Sequence, residues 1–143
     1  MNNTNLKTEL MLLCDYALIS KEGKVSAIGF FEEILNSAPS NVPAILAKGF
    51  VVATLTGTAS TNYKLELRIE QGNKKENIIP KLEVDVNMGK NGRSNLVVGL
   101  EGISFPNPGI YNVRLYNNNE EVGSRELRVI KVKNNNQNSS TPN

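Results

Sequence analysis

Apolar and polar residues alternate along most of this chain. In "YKLELRIE" an extended backbone puts Tyr63, Leu65, Leu67 and Ile69 on one face and Lys64, Glu66, Arg68 and Glu70 on the other. "KLEVDVNM" repeats the pattern, with Leu82, Val84, Val86 and Met88 against Lys81, Glu83, Asp85 and Asn87. A period of two is that of the strand, and one polar face marks half-buried antiparallel strands. "ELMLLCDYALI" and "ILAKGFVVATL" are apolar on both faces over parts of their length, as central strands are. "IYNVRLY" and "RELRVIKV" flank "NNNEE" and predict a terminal hairpin. No amphipathic helix interrupts the series. The spacing predicts an all-β fold of about eight strands, a two-sheet antiparallel sandwich of the immunoglobulin-like kind.

"PNPGIY" supports the same fold. Pro108–Gly109 makes a turn and Tyr111 opens the next strand, where its ring packs inward and its hydroxyl bonds back to the loop, a tyrosine corner. At 143 residues the chain fits one domain. The boundaries read as a flexible N-terminus at 1–7, a sandwich at 8–132 and a disordered Asn/Ser-rich tail at 133–143.

Composition removes several functions. There is no histidine, which excludes Ser-His and Cys-His nucleophiles and imidazole-bound zinc. One cysteine allows no intrachain disulfide, which fits a reducing compartment. Sixteen basic against fourteen acidic residues leave a formal charge of +2 with no basic stripe, so neither nucleic acid nor an anionic membrane is expected as a partner. The N-terminus lacks a signal-length apolar run, and no stretch approaches the roughly 20 apolar residues of a membrane span. The expectation is a cytoplasmic protein without cofactor or metal.

The candidate chemistry reads mainly as architecture. Cys14 and Asp15 are neighbours on a strand, so they diverge. Cys14 shares a face with Leu10, Leu12, Tyr16 and Leu18 and reads as a small core hydrophobe. Asp15, flanked on its own face by Leu13 and Ala17, is expected to accept hydrogen bonds that fix a nearby loop, or to meet a ligand. Glu32 and Glu33 diverge in the same way. Glu83 and Asp85 share a face roughly 7 Å apart, but Lys81 in their row and the charged row of Lys64 to Glu70 predict cross-strand ion pairs instead. "GKNGRSN" lacks the phosphate-loop spacing and reads as a turn, whose Lys90 and Arg93, with Asn95, remain candidates for a phosphate or sugar. Of Phe30 and Phe31, one at most is core, and the other sits at an interface or a partly covered edge.

The combination resembles a family of small bacterial all-β proteins of unknown function. Their opening runs L-C-D, G-K, G-x-F-x-x-I, matched by Leu13, Cys14, Asp15, Gly23, Lys24, Gly29, Phe31 and Ile34. Their closing N-L and P-G-x-Y with a final hairpin are matched by Asn95, Leu96, Pro108, Gly109, Tyr111 and Val129. The resemblance spans roughly Leu10 to Val132. It implies a compact all-β domain with no established reaction or ligand. The leading expectation is a non-enzymatic binding or assembly module, paired with an unknown protein or with itself. A small-ligand binder is second, and a histidine-independent enzyme third.

Overall fold

A computed structural model describes residues 5–39 and 41–133. The first sheet contains β1 (Lys7–Ile19), β2 (Val25–Phe30), β4 (Ala44–Thr56) and β8 (Arg93–Phe105), in the order β2-β1-β4-β8. The second contains β3 (Glu33–Asn36), β5 (Asn62–Gln71), β6 (Glu76–Asn77), β7 (Leu82–Asn87), β9 (Gly109–Asn117) and β10 (Glu120–Lys131). Its order is β3-β10-β9-β5, and the far edge of β5 is shared by β6 and β7. All pairs are antiparallel except β3, which runs parallel to β10. The described residues form ten strands, above the eight expected, because β3 has four residues and β6 two, too few for alternation to register. No helix among the described residues is long and apolar enough to cross a membrane.

The core lies between the sheets. Leu65, Leu67 and Ile69 of β5 are buried, as their alternation predicts, against Val51, Ala53 and Leu55 of β4 and Val113 and Leu115 of β9 in one cluster. Each such aliphatic contributes about 1.5–3 kcal/mol when fully buried. Tyr111 is buried at the start of β9 and meets Phe105 edge to face, 5.0 Å between ring centroids. Its hydroxyl donates to the Asn107 carbonyl at 2.7 Å and accepts from the Asn107 amide at 3.1 Å. That is the tyrosine corner. Leu6 is also buried in this core, and residues 1–4 of the expected flexible N-terminus lie outside the described residues. Residues 134–143 of the expected tail lie outside the described residues.

β1 departs from its expected orientation. Met11 and Leu13 face the main core, while Leu10, Tyr16 and Leu18 are exposed. The reason is that β1 serves two partners. It pairs with β4 from Lys7 to Cys14, with both neighbours at Cys14, and with β2 alone from Tyr16 to Ile19. Alternation breaks at the junction: Cys14 and Ala17 fall in one cluster, and the Cys14 thiol donates to the Tyr16 carbonyl at 3.4 Å.

Beyond that junction the β1–β2 hairpin leaves the sheet plane. Asn95 of β8 donates from Nδ2 to the carbonyl of Gly23 in the hairpin turn, at 2.7 Å. β8 lies two strands from β1, roughly 10 Å at ordinary strand spacing. The hairpin therefore leans across the outer face of β4. Beneath it Cys14, Ala17 and Val52 are buried with Val25, Ala27, Phe50 and Val97 as a second, smaller apolar cluster. Cys14 is thus a core hydrophobe, as read from the sequence, but of this outer layer.

Candidate functional site

The hairpin has two faces, and only one is covered. Val25 and Ala27 point down into the outer cluster. Tyr16, Leu18, Ile28 and Phe30 are exposed, with Ile28 at 68% and Phe30 at 62%, and Tyr16 pairs with Ile28 across the hairpin. Phe31, the other half of the "FF" pair, packs against the main core. One phenylalanine is core and the other sits on an edge, as alternation requires.

β2 is also a free edge of its sheet. A free edge presents unpaired N–H and C=O groups, which proteins usually blunt with charges, proline, brevity or a bulge. The other edges are blunted in these ways. β7 alternates Glu83 and Asp85, β3 has four residues and opens on Glu33, and β8 carries Arg93 and Glu101. β2, "VSAIGF", has neither charge nor proline. Its one irregularity is Gly29, with φ +75°, at the base of the hairpin.

Asp15 sits beside that glycine. It is exposed, and a Cβ added at Gly29 would lie 2.5 Å from its Oδ2. The expected hydrogen bonds are not formed: among the described residues none donates to the Asp15 carboxylate. Its neighbour in space is a glycine whose open surface it covers. Asn95 is fully engaged, accepting from the Thr54 hydroxyl at 2.9 Å while donating to Gly23. Lys90 and Arg93 are exposed on the β7–β8 turn, closed by Gly92 N to Gly89 O at 3.0 Å and Arg93 N to Asn91 Oδ1 at 3.1 Å. The structure thus brings Lys90 and Arg93 onto one turn, uses the Asn95 side chain to pin the hairpin, and leaves Asp15 at the hairpin base.

A polar cluster on the outer face of the second sheet escapes sequence reading. Glu70 is 1% exposed, and its Oε1 accepts from Arg114 Nη1 and from the Tyr116 hydroxyl, both at 2.7 Å. Arg114 Nε lies 2.5 Å from the Glu121 carboxylate. The Arg68 guanidinium sits 4.4 Å from the Tyr116 ring centre and pairs with Glu66 at 2.9 Å. Burial, reinforced by Glu70, pushes the Tyr116 phenol up, and the bond to Glu70 pushes Arg114 up. Arg68 holds the Glu66 carboxyl below its ordinary range. Glu70 already accepts from Arg114 Nη1 and the Tyr116 hydroxyl, so the cluster fixes register between β5 and β9 more than it offers a free acid. Lys64 of β5 reaches Glu83 of β7 at 3.6 Å, a cross-strand pair of the kind expected of the charged rows, while Lys81 meets the same carboxylate from two residues along its own row at 3.2 Å.

Two packed sheets, a tyrosine corner and a parallel contact of β3 on the last strand, β10, define an immunoglobulin-like β-sandwich, here with a hairpin folded over one face. The chain belongs to the family of unknown function DUF6941, which matches residues 9–130. Among solved structures, the Pseudomonas fluorescens alkylpurine DNA glycosylase AlkC, bound to DNA containing an abasic site analog, is similar over 90% of this chain and 31% of that one, with TM-score 0.52 and 13% identity. The beta-glucosidase from Listeria innocua in complex with isofagomine is similar over 92% of this chain and 16% of that one, with TM-score 0.50 and 10% identity. An immunoglobulin-like protein from Pseudomonas aeruginosa aligns over 88% of this chain and 97% of that one, with TM-score 0.46 and 12% identity. The chain spans less than a third of either enzyme, and at these identities the likeness is one of fold alone. No curated protein matches it.

Proposed function

We propose that this domain is a non-catalytic assembly module that pairs with a second copy of itself through β2. The observation that carries this is the unblunted edge, an uncharged strand whose Ile28 and Phe30 stand exposed beside a row of free backbone groups. Two copies of β2 laid antiparallel about a two-fold axis would extend the four-stranded sheet across the interface. The same contact would bring Ile28, Phe30, Tyr16 and Leu18 of each copy out of water. An isologous contact needs no second partner species, which makes self-pairing the simplest occupant.

The non-catalytic part rests on three observations. The sequence has no histidine. The buried acid Glu70 is already held by Arg114 and Tyr116. The one thiol, Cys14, is buried, and burial pushes its pKa up, away from the nucleophilic thiolate. A free, unoxidised cysteine also suits the reducing cytoplasm, which is part of the same reading.

The test is native mass spectrometry on the full chain and on Ile28→Lys. Wild type is expected at twice the 15.7 kDa chain mass and the variant at one chain mass, with circular dichroism unchanged. Wild type found as a bare monomer at every concentration overturns self-pairing.

A further inference from the structure

We infer that two reciprocal ion pairs fix how two copies of this chain meet, Lys24 of each copy bonding the Asp15 carboxylate of the other. This rests on the pairing through β2 proposed above, and adds to it a register and the charges that select it.

Within one chain the two groups are too far apart to pair. Asp15 lies at the base of the hairpin against Gly29, between the registered pairs Cys14–Phe30 and Tyr16–Ile28, while Lys24 lies at the turn. Five residues of strand separate Gly29 from Lys24, roughly 16 Å. Both charged residues are exposed, and among the described residues neither takes part in an ion pair. The Lys24 backbone is nevertheless held in place. Its amide donates to the Ser20 hydroxyl at 3.1 Å, its carbonyl accepts from the Ser20 amide at 2.8 Å, and Asn95 pins the adjoining Gly23. The root of the lysine stem is fixed while its ammonium stays free. At the other end, Gly29 lets the acid reach the edge. A Cβ there would lie 2.5 Å from Asp15 Oδ2, so only a bare glycine leaves the carboxylate its place over the outermost strand. A strand added beyond β2 would run about 4.8 Å further out, within the span of a lysine stem.

An antiparallel second copy closes that gap. The Lys24 carbonyl turns toward β1, so by alternation the N–H and C=O groups of Val25 and Ala27 face the open edge. A two-fold axis beside Ala27 joins these groups to those of the second copy and sets Val25 of one against Gly29 of the other. Lys24, next to Val25, then stands beside Asp15 of the other copy, and symmetry makes the contact twice. A parallel pairing would instead set lysine beside lysine and aspartate beside aspartate. The remaining charges agree with the antiparallel choice. Lys21 and Glu22 offset one another in the turn. At the base, Glu32 is paired with Arg125, and the exposed Glu33 shares a cleft of about 520 Å³ with Phe30, adding negative charge where the lysine arrives.

The experiment is a charge exchange between copies, read by native mass spectrometry of the full chain as wild type, as Asp15→Lys, as Lys24→Asp, and as an equal mixture of the two variants. Each variant alone brings like charges together at both contacts, and its pairing is expected to weaken by about tenfold or more relative to wild type. The mixture is expected to recover pairing as a dimer with one chain of each kind, because each variant supplies the charge that the other lacks. Wild-type pairing should also weaken as ammonium acetate is raised from about 0.01 M to about 1 M, where the screening length falls from roughly 30 to 3 Å. A wild-type dimer that either substitution leaves intact, variants that do not prefer each other, or a dimer indifferent to salt would each overturn the ion pairs while leaving the β2 contact to the Ile28→Lys test. A wild-type monomer would overturn both. The salt response uses wild type alone, so it decides the matter even where a variant does not fold.

Discussion

Tyr111 shows how one hydroxyl organises a corner. It is buried, yet both polar bonds it makes return to a single loop residue, Asn107. Tyr111→Phe keeps the ring against Phe105 and is expected to cost about 1–2 kcal/mol, the net worth of one or two hydrogen bonds, read from urea unfolding. Glu70 carries a larger stake. Glu70→Ala leaves the Tyr116 hydroxyl and one face of Arg114 without their acceptor and is expected to cost about 3 kcal/mol. The titrating residues give a pH profile. Burial raises the Cys14 thiol above its ordinary 9.0 and the Tyr111 and Tyr116 phenols above 10.0. A raised folded-state pKa means stability complete below the unfolded value and lost as pH climbs through the folded one. The urea midpoint should therefore hold near neutrality and fall from about pH 9 upward. Glu66, lowered from 4.5 by its hydrogen bond to Arg68, acts at the other end: its contribution is present above that value and fades as pH drops below it. A midpoint rising through the alkaline range would contradict the burial of these groups.

At the scale of elements, the hairpin is the part that the sequence half conceals. The alternation in β5 and β7 was legible because one face of each is charged, so the inward row could be assigned without ambiguity. β1 is apolar on both faces, and its parity changes at Asp15–Tyr16, where it exchanges β4 for β2. No local pattern announces such an exchange, and extrapolating Cys14's face along the whole strand misplaces Leu10, Tyr16 and Leu18. Glu70 was hidden for a related reason. Its row reads as solvent-facing, and its partners Arg114 and Tyr116 arrive from β9, 44 and 46 residues later. Gly29 is a close approach and not a bulge: its φ is +75°, the Asp15 carboxylate lies against it, and the β1–β2 register runs past it unshifted. Gly29→Ala would place a Cβ against the Asp15 carboxylate at a positive φ, and is expected to cost about 1–3 kcal/mol. Pairing it with Asp15→Ala should recover part of that loss in a double-mutant cycle. Asn95→Ala removes the tie to Gly23 while leaving the main core untouched. Amide exchange should then quicken across Val25–Phe30 with little change in β5 or β9. Uniform protection in the variant would mean that the outer apolar cluster alone holds the hairpin down.

The whole molecule is a sandwich with an added layer. The hairpin buries Cys14 and Val52 and partly covers Val97 on what would otherwise be an open sheet face, and in doing so turns an uncharged edge and an apolar outer row toward solvent. An immunoglobulin-like frame can be recognised from alternation and one P-G-x-Y corner, because both are local. The consequence of the folded hairpin is not local, since it depends on how β1, β2, β4 and β8 sit together. Self-pairing through β2 joins these features into one function, and solution mass is its most direct readout. Native mass spectrometry of the full chain should find twice 15.7 kDa, reduced to a single chain by Ile28→Lys. A wild-type monomer, or a dimer indifferent to Ile28→Lys, would contradict it.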